Sequence, residues 1–209
     1  MKPRKIVVGV TGASGAVYAE RLLEILAEYR QHEGGIEIAV CHSSTAPEVW
    51  ALECGGDFHQ AVSGRFPVWG KRDYSAPFAS GSAGWDAMVI VPCSMSTVAR
   101  IAHGISDTLL TRAADVMLKE RRTLVVVPRE MPLSVIHLEN LTRLAKAGAV
   151  IQPAMPSFYG KPKTFQNVID TVVGRTLDQI GIAHRLLRRW GDDSGASRDQ
   201  ALAAEGSES

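Results

Sequence analysis

Apolar residues fall along this chain in short unbroken runs, set between longer stretches in which they recur at helical spacing. The runs are residues 5–10, containing Ile6-Val7-Val8-Gly9-Val10, and then 36–41, 87–91, 123–127 and 149–152. Each is apolar at nearly every position instead of alternating, the pattern of a strand covered on both faces in a parallel sheet. Helices are predicted over residues 14–30, from the Ser43-Ser44 pair to about Cys54, after Thr97, and over 107–120, 134–147 and 165–180. In the first, Val17, Leu22, Leu23, Ile25 and Leu26 cluster at helical spacing while Glu20, Arg21, Glu24 and Glu28 fall mainly elsewhere, so one face is core and one is wet. In 134–147 the apolar stripe is Leu138, Leu141 and Leu144. Strand and helix in alternation predict an α/β chain with an open, mostly parallel sheet flanked by helices. Between residues 55 and 84 the periodicity fades and Gly, Pro and Ser accumulate, which reads as a long loop whose aromatic content points to function. Residues 1–190 form one domain on this reading, and the polar stretch 191–209 is a disordered tail.

Composition narrows the partners. With 23 basic and 22 acidic residues among 209, the formal charge is +1, which gives no reason to expect nucleic acid or a membrane surface through bulk electrostatics. Cys41, Cys54 and Cys93 have no CxxC spacing and are odd in number, as in a reduced cytoplasmic protein. No window approaches the roughly 18 continuous apolar residues of a membrane span.

Candidate chemistry gathers where strands end. Thr11-Gly12-Ala13-Ser14-Gly15-Ala16 joins the first strand to the first helix and reads as an anion cradle, its small residues admitting close approach and its helix start offering N–H groups. Pro92-Cys93-Ser94-Met95-Ser96-Thr97 makes a second such turn, and two of them at the carboxyl ends of parallel strands would line one crevice. Ser43 or Ser44 is placed to cap the second helix, near whose end Glu53 is opposed by the helix dipole. Arg129-Glu130 follows a buried strand between Pro128 and Pro132, a better place for a site than a helix surface.

Familiar motifs are absent. The first turn spaces its glycines GxxGxxG and not GxGxxG, and the second strand ends in Cys41-His42 without the acidic residue that holds an adenosine ribose. There is no GxxxxGK[ST] and no HxH, HExxH or CxxC, so neither a P-loop nor a metal site is expected. Cys93 reads as structural because no paired histidine base is identifiable. What remains is Lys119, Arg129 and Arg175 with Tyr159, beside the carboxylates Glu53 and Glu130 and the hydroxyl of Ser14. Several cations next to an anion cradle suggest two phosphates, hence a phosphorylated cofactor with a phosphorylated substrate.

Together with Ala79-Ser80-Gly81-Ser82, Leu110-Thr111-Arg112-Ala113-Ala114-Asp115-Val116, Leu118-Lys119-Glu120-Arg121-Arg122, His137-Leu138 and Phe158-Tyr159, these motifs resemble the UbiX-type flavin prenyltransferases from about residue 5 to Trp190-Gly191. The resemblance implies a Rossmann-like three-layer fold and transfer of a dimethylallyl group from dimethylallyl phosphate to N5 and C6 of reduced FMN. By similarity Gly12, Ala13, Ser14, Ser43, Ser94, Met95, Ser96, Thr97 and Arg129 would hold FMN, and Lys119, Arg129, Tyr159 and Arg175 the prenyl phosphate. Ser14, Glu53, Glu130 and Trp190 would be catalytic, the carboxylates managing protons and Trp190 lending a π face to an allylic cation. It further implies an external FMN reductase, a UbiD-type decarboxylase as recipient of the product, no metal, and a homo-oligomer, usually a dodecamer with sites at subunit junctions. The rival is a flavin-dependent cysteine decarboxylase of the same fold, whose PxMNxxMW segment is replaced here by Pro128-Arg129-Glu130-Met131-Pro132.

Overall fold

The computed structural model describes residues 3–187; Trp190 and the 191–209 stretch lie outside the described residues. Six strands, β1 (Arg4–Val10), β2 (Ile36–His42), β3 (Val68–Trp69), β4 (Ala87–Cys93), β5 (Thr123–Pro128) and β6 (Val150–Ile151), form one sheet in the order β3-β2-β1-β4-β5-β6. Every neighbouring pair is parallel. The helices are α1 (Ala16–His32), α2 (Ala46–Glu53), α3 (Phe58–Ser63), α4 (Met95–Ala102), α5 (Leu109–Lys119), α6 (Val135–Lys146) and α7 (Phe165–Gln179).

The strands are apolar throughout because both faces are covered. Ile6, Val8 and Val10 of β1 pack with Leu22 and Leu26 of α1, Trp50 of α2, Phe58 of α3 and Val173 and Leu177 of α7. Val7 points the other way and joins Met88 and Ile90 of β4 with Val98, Leu109, Ala113, Met117 and Leu144. Helix, sheet, helix is the three-layer solution for such strands. Truncating one of these fully buried side chains, as in Leu22→Ala, would cost about 2–5 kcal/mol.

Three sequence expectations are corrected. The 55–84 stretch is not one loop: it contains α3, the edge strand β3 and two single 3-10 turns. Its elements are too short for a period to register, although Asp57 caps α3 by accepting from the Gln60 N–H. Its aromatics also close the core, since Phe78 is buried, as is Trp85 just beyond the stretch, and Trp69, Phe78 and Trp85 stack edge to face. Neither Ser43 nor Ser44 caps α2. Thr45 stands at that position without a side-chain bond to the helix backbone, and Ser43 instead donates its N–H to Val10 O. On α6 only Leu144 is fully buried, while Leu138, Val135 and Ile136 face outward, because the helix meets α4 along one narrow side.

Candidate active site

Register sets Val10 beside His42 and Cys93 beside Pro128, so the loops leaving β1, β2, β4 and β5 share one edge of the sheet. Thr11 stitches two of them. Its hydroxyl donates to Pro92 O at 2.7 Å and accepts the Ser94 N–H at 2.9 Å, in a side chain that is fully buried. Gly12 is required by a neighbour: a Cβ there would lie 2.1 Å from Thr45 Oγ1, so the start of α2 presses directly on the turn. Gly15 takes φ 111°, a left-handed conformation that favours glycine, and is itself the N-cap of α1.

Packing α2 on this turn carries Glu53 to the start of α1. Its Oε2 accepts the N–H groups of Gly15 and Ala16, each at 2.7 Å. The first free donors of α1, expected to meet a phosphate, are therefore held by a carboxylate of the same chain. The arrangement also resolves the dipole conflict in the sequence, since Glu53 closes α2 but its charge rests on the positive end of α1. Burial pushes the Glu53 carboxyl up, but the Ser14 hydroxyl, the Gly15 and Ala16 N–H groups and the Arg129 charge outweigh it and hold it below the ordinary carboxylate range. Arg129 closes the group by donating Nε–H to Ser14 O at 2.9 Å, its own N–H going to Cys93 O. Ser14, Glu53 and Arg129 are thus one cluster. Glu130 is exposed next to it, accepting the Met131 N–H at 3.1 Å.

The second turn differs. Ser94 is the N-cap of α4, and its Oγ lies 3.1 Å from Ser96 Oγ and 3.0 Å from Thr97 Oγ1, a patch of three hydroxyls at a helix start. Met95 is buried in the core behind it, so only its backbone belongs to the turn. Ser43 Oγ lies across the edge, 3.3 Å from Thr45 Oγ1. Cys93 is fully buried, and burial pushes its thiol well above the usual range, in keeping with a structural role.

The predicted phosphate-gripping set is not assembled by one chain. Lys119 ends α5, pairs with Glu120, and precedes β5, whereas Arg129 follows β5. They therefore sit at opposite edges of the sheet, separated by a strand about 20 Å long. Tyr159 lines a cavity of about 280 Å³ with Asn167 and Thr171, and Arg175 lines one of about 260 Å³ with Gln152, Met155 and Thr171. Thr171 borders both, so these two residues flank one stretch of α7. Among the described residues no cluster of three or more His, Cys, Asp or Glu could hold a metal ion, and no helix is long and apolar enough to cross a membrane.

Sequence reasoning passed over Thr45, which makes Gly12 obligatory, and the Asp178–His184 pair beside Arg175. The second left a signal only in hindsight, because its members lie six residues apart across the end of a helix.

An all-parallel sheet with hydroxyl-rich turns at its carboxyl edge and one arginine closing them is a Rossmann-like arrangement, and the family model described as Flavoprotein, which matches residues 1–177, makes it a flavoprotein. The flavin prenyltransferase UbiX of Methanocaldococcus jannaschii is 43% identical over 187 residues, covering 90% of this chain and 98% of its own. A crystal structure of AnUbiX in complex with FMN and dimethylallyl pyrophosphate superposes with a TM-score of 0.84 at 40% identity, covering 91% of this chain and 98% of that one. A dodecameric FMN-dependent UbiX-like decarboxylase from Escherichia coli O157:H7 gives the same TM-score at 42% identity, with 89% and 98% covered. The chain belongs to the UbiX-type flavin prenyltransferase family within the flavoproteins.

Proposed function

We propose that this chain is a flavin prenyltransferase that transfers a dimethylallyl group from dimethylallyl phosphate to N5 and C6 of reduced FMN. The observation that carries this reading is the Ser14–Glu53–Arg129 cluster at the carboxyl edge, in a chain of this family. The crevice suits FMN on its own chemistry. It offers the hydroxyls of Ser43, Ser94, Ser96 and Thr97, the positive end of α4, a guanidinium, and a first turn in which Gly12 and Ala13 present backbone.

Bound reduced FMN would supply the nucleophilic N5 and C6 atoms. The chain's residues do the rest. Glu53, fixed by two N–H groups and kept ionised, takes a proton from the N5 edge with the Ser14 hydroxyl beside it. Glu130 handles a proton at the prenyl C3 side or at a phosphate oxygen. Lys119, Arg129, Tyr159 and Arg175 hold the phosphate as the carbon–oxygen bond breaks, taking up charge that develops on the leaving group.

Because Lys119 and Arg129 lie at opposite edges of one chain, a complete site draws on more than one subunit, and we assign a homo-oligomer, a dodecamer like the Escherichia coli relative. Trp190, which lies outside the described residues, completes the proposed catalytic set by lending a π face to the allylic cation. A separate reductase supplies reduced FMN, and a UbiD-type decarboxylase takes the product.

Anaerobic incubation with reduced FMN and dimethylallyl phosphate tests the reading: a prenyl mass increment on the flavin is expected. No increment, with oxidative decarboxylation of a cysteine peptide instead, would transfer the chain to the cysteine decarboxylases of the same fold.

A further inference from the structure

The end of α7 and the chain beyond it hold a chain of bonds outside the carboxyl-edge cluster. Arg175 Nη1–H donates to Asp178 Oδ2 at 2.8 Å, Asp178 Oδ1 lies 3.0 Å from His184 Nε2, and the Leu186 N–H donates to His184 Nδ1 at 3.2 Å. The last bond fixes which ring nitrogen accepts. Nδ1 is an acceptor and carries no proton, so the proton sits on Nε2 and is donated to Asp178.

Exposure falls along this series, from 58% for the Arg175 side chain through 17% for Asp178 to 2% for His184. The burial of the imidazole is accommodated by its surroundings. A Cβ on Gly174 would stand 2.9 Å from His184 Cε1 and 2.6 Å from Leu187 Cγ, so α7 lacks a side chain just where the ring and the returning chain lie against it. A buried imidazole therefore orients a half-sheltered carboxylate, and the carboxylate orients an exposed guanidinium. Among the described residues Arg175 meets Asp178 through Nη1, and its other donors face outward where an anion can reach them.

We propose that Asp178 is a positioning residue for Arg175, itself held in register by His184, and that the pair sets the affinity for the prenyl phosphate. This rests on the reading that Arg175 grips that phosphate. An arginine held in advance loses less rotamer freedom on meeting an anion than one that wanders. The competing role is purely structural, with His184 and Asp178 only fastening residues 182–187 to α7.

Steady-state kinetics with dimethylallyl phosphate, FMN affinity and Tm, measured on the full chain, separate the two. Arg175→Ala is expected to raise KM. Asp178→Asn should raise KM roughly three- to tenfold, with kcat and FMN affinity within about twofold. The double variant should be no worse than Arg175→Ala alone, since Asp178 acts through Arg175. His184→Gln, which keeps an N–H donor, should stay near wild type, while His184→Phe should follow Asp178→Asn. If Arg175→Ala raises KM but Asp178→Asn does not, or if their effects add, the positioning role is overturned. It is equally overturned if Asp178→Asn and His184→Phe lower Tm alone. An unchanged KM in Arg175→Ala would instead remove the phosphate assignment of Arg175 on which the proposal stands.

Discussion

The turn from β1 to α1 and the turn from β4 to α4 are made of the same small, hydroxyl-bearing residues at the same edge of the sheet, yet only one keeps its helix start open to an outside anion. At α1 the Gly15 and Ala16 N–H groups end on the Glu53 carboxylate. At α4 the cap is the neutral Ser94 hydroxyl, with Ser96 and Thr97 beside it. A phosphate approaching α1 meets a negative charge already seated there; one approaching α4 meets hydroxyl donors and an uncompensated dipole. Similar composition thus yields two different helix starts. On the reading proposed above, the first turn fixes a carboxylate for proton transfer and the second receives the cofactor's phosphate.

Glu53→Gln tests that division most strongly. Adduct formation in an anaerobic single turnover should slow by about 10²- to 10⁴-fold, the range for losing a positioned general base, while FMN affinity stays within about threefold. An equal loss of FMN affinity would mean that both turns serve the cofactor alike. Lys119→Ala comes next, because Lys119 serves neither turn of its own chain: KM for dimethylallyl phosphate should rise roughly tenfold or more with FMN binding intact. At subsaturating dimethylallyl phosphate, mixing the impaired Lys119→Ala and Arg129→Ala chains should restore part of the activity if one site takes these residues from different subunits. For the second turn, Ser96→Ala should weaken FMN binding about tenfold in a fluorescence titration and leave the saturated adduct rate nearly unchanged. A slowed rate at saturating FMN would reverse the two assignments.

Much of this layout was legible in the residues, for identifiable reasons. Unbroken apolar runs marked the four long strands β1, β2, β4 and β5, and the short β6, because burial leaves no alternation, and the strand ends located the turns. The six-residue α3 was not legible, being too short for any period to appear, and neither was β3, whose two residues stand between Pro67 and Gly70 without the longer apolar run that surrounds the equally short β6. Glu53 announced a conflict, a carboxylate at a helix C-terminus, without revealing that a second helix start resolves it; that contact links residues 37 and 38 positions apart. Grouping Lys119 with Arg129 rested on chemistry alone. Chain order already separated them, since the last residue of a helix leading into a parallel strand lies at the edge opposite the residue that leaves it.

The smallest effect concerns stability, and its sign distinguishes a charged cap at α1 from a neutral one. Folding lowers the Glu53 carboxyl below the ordinary carboxylate range, so the folded state favours the ionised form. That contribution is fully present above the unfolded value and is lost as pH falls through the depressed folded one. The side chain is exposed, so its worth is modest, about 0.3–1 kcal/mol for a carboxylate at a helix N-terminus. Apo wild type should therefore have a slightly higher Tm than apo Glu53→Gln at neutral pH, and the gap should close on acidification below the ordinary carboxylate range. Added salt at neutral pH should narrow it too, because the interaction is electrostatic and partly in solvent. The corresponding neutral cap, tested by Ser94→Ala, should cost about 1 kcal/mol with no such pH or salt dependence. A Tm gap for Glu53→Gln that is flat from neutral to acidic pH would make the α1 cap an ordinary hydrogen-bonded one, and would remove the electrostatic ground for sending the phosphate to α4.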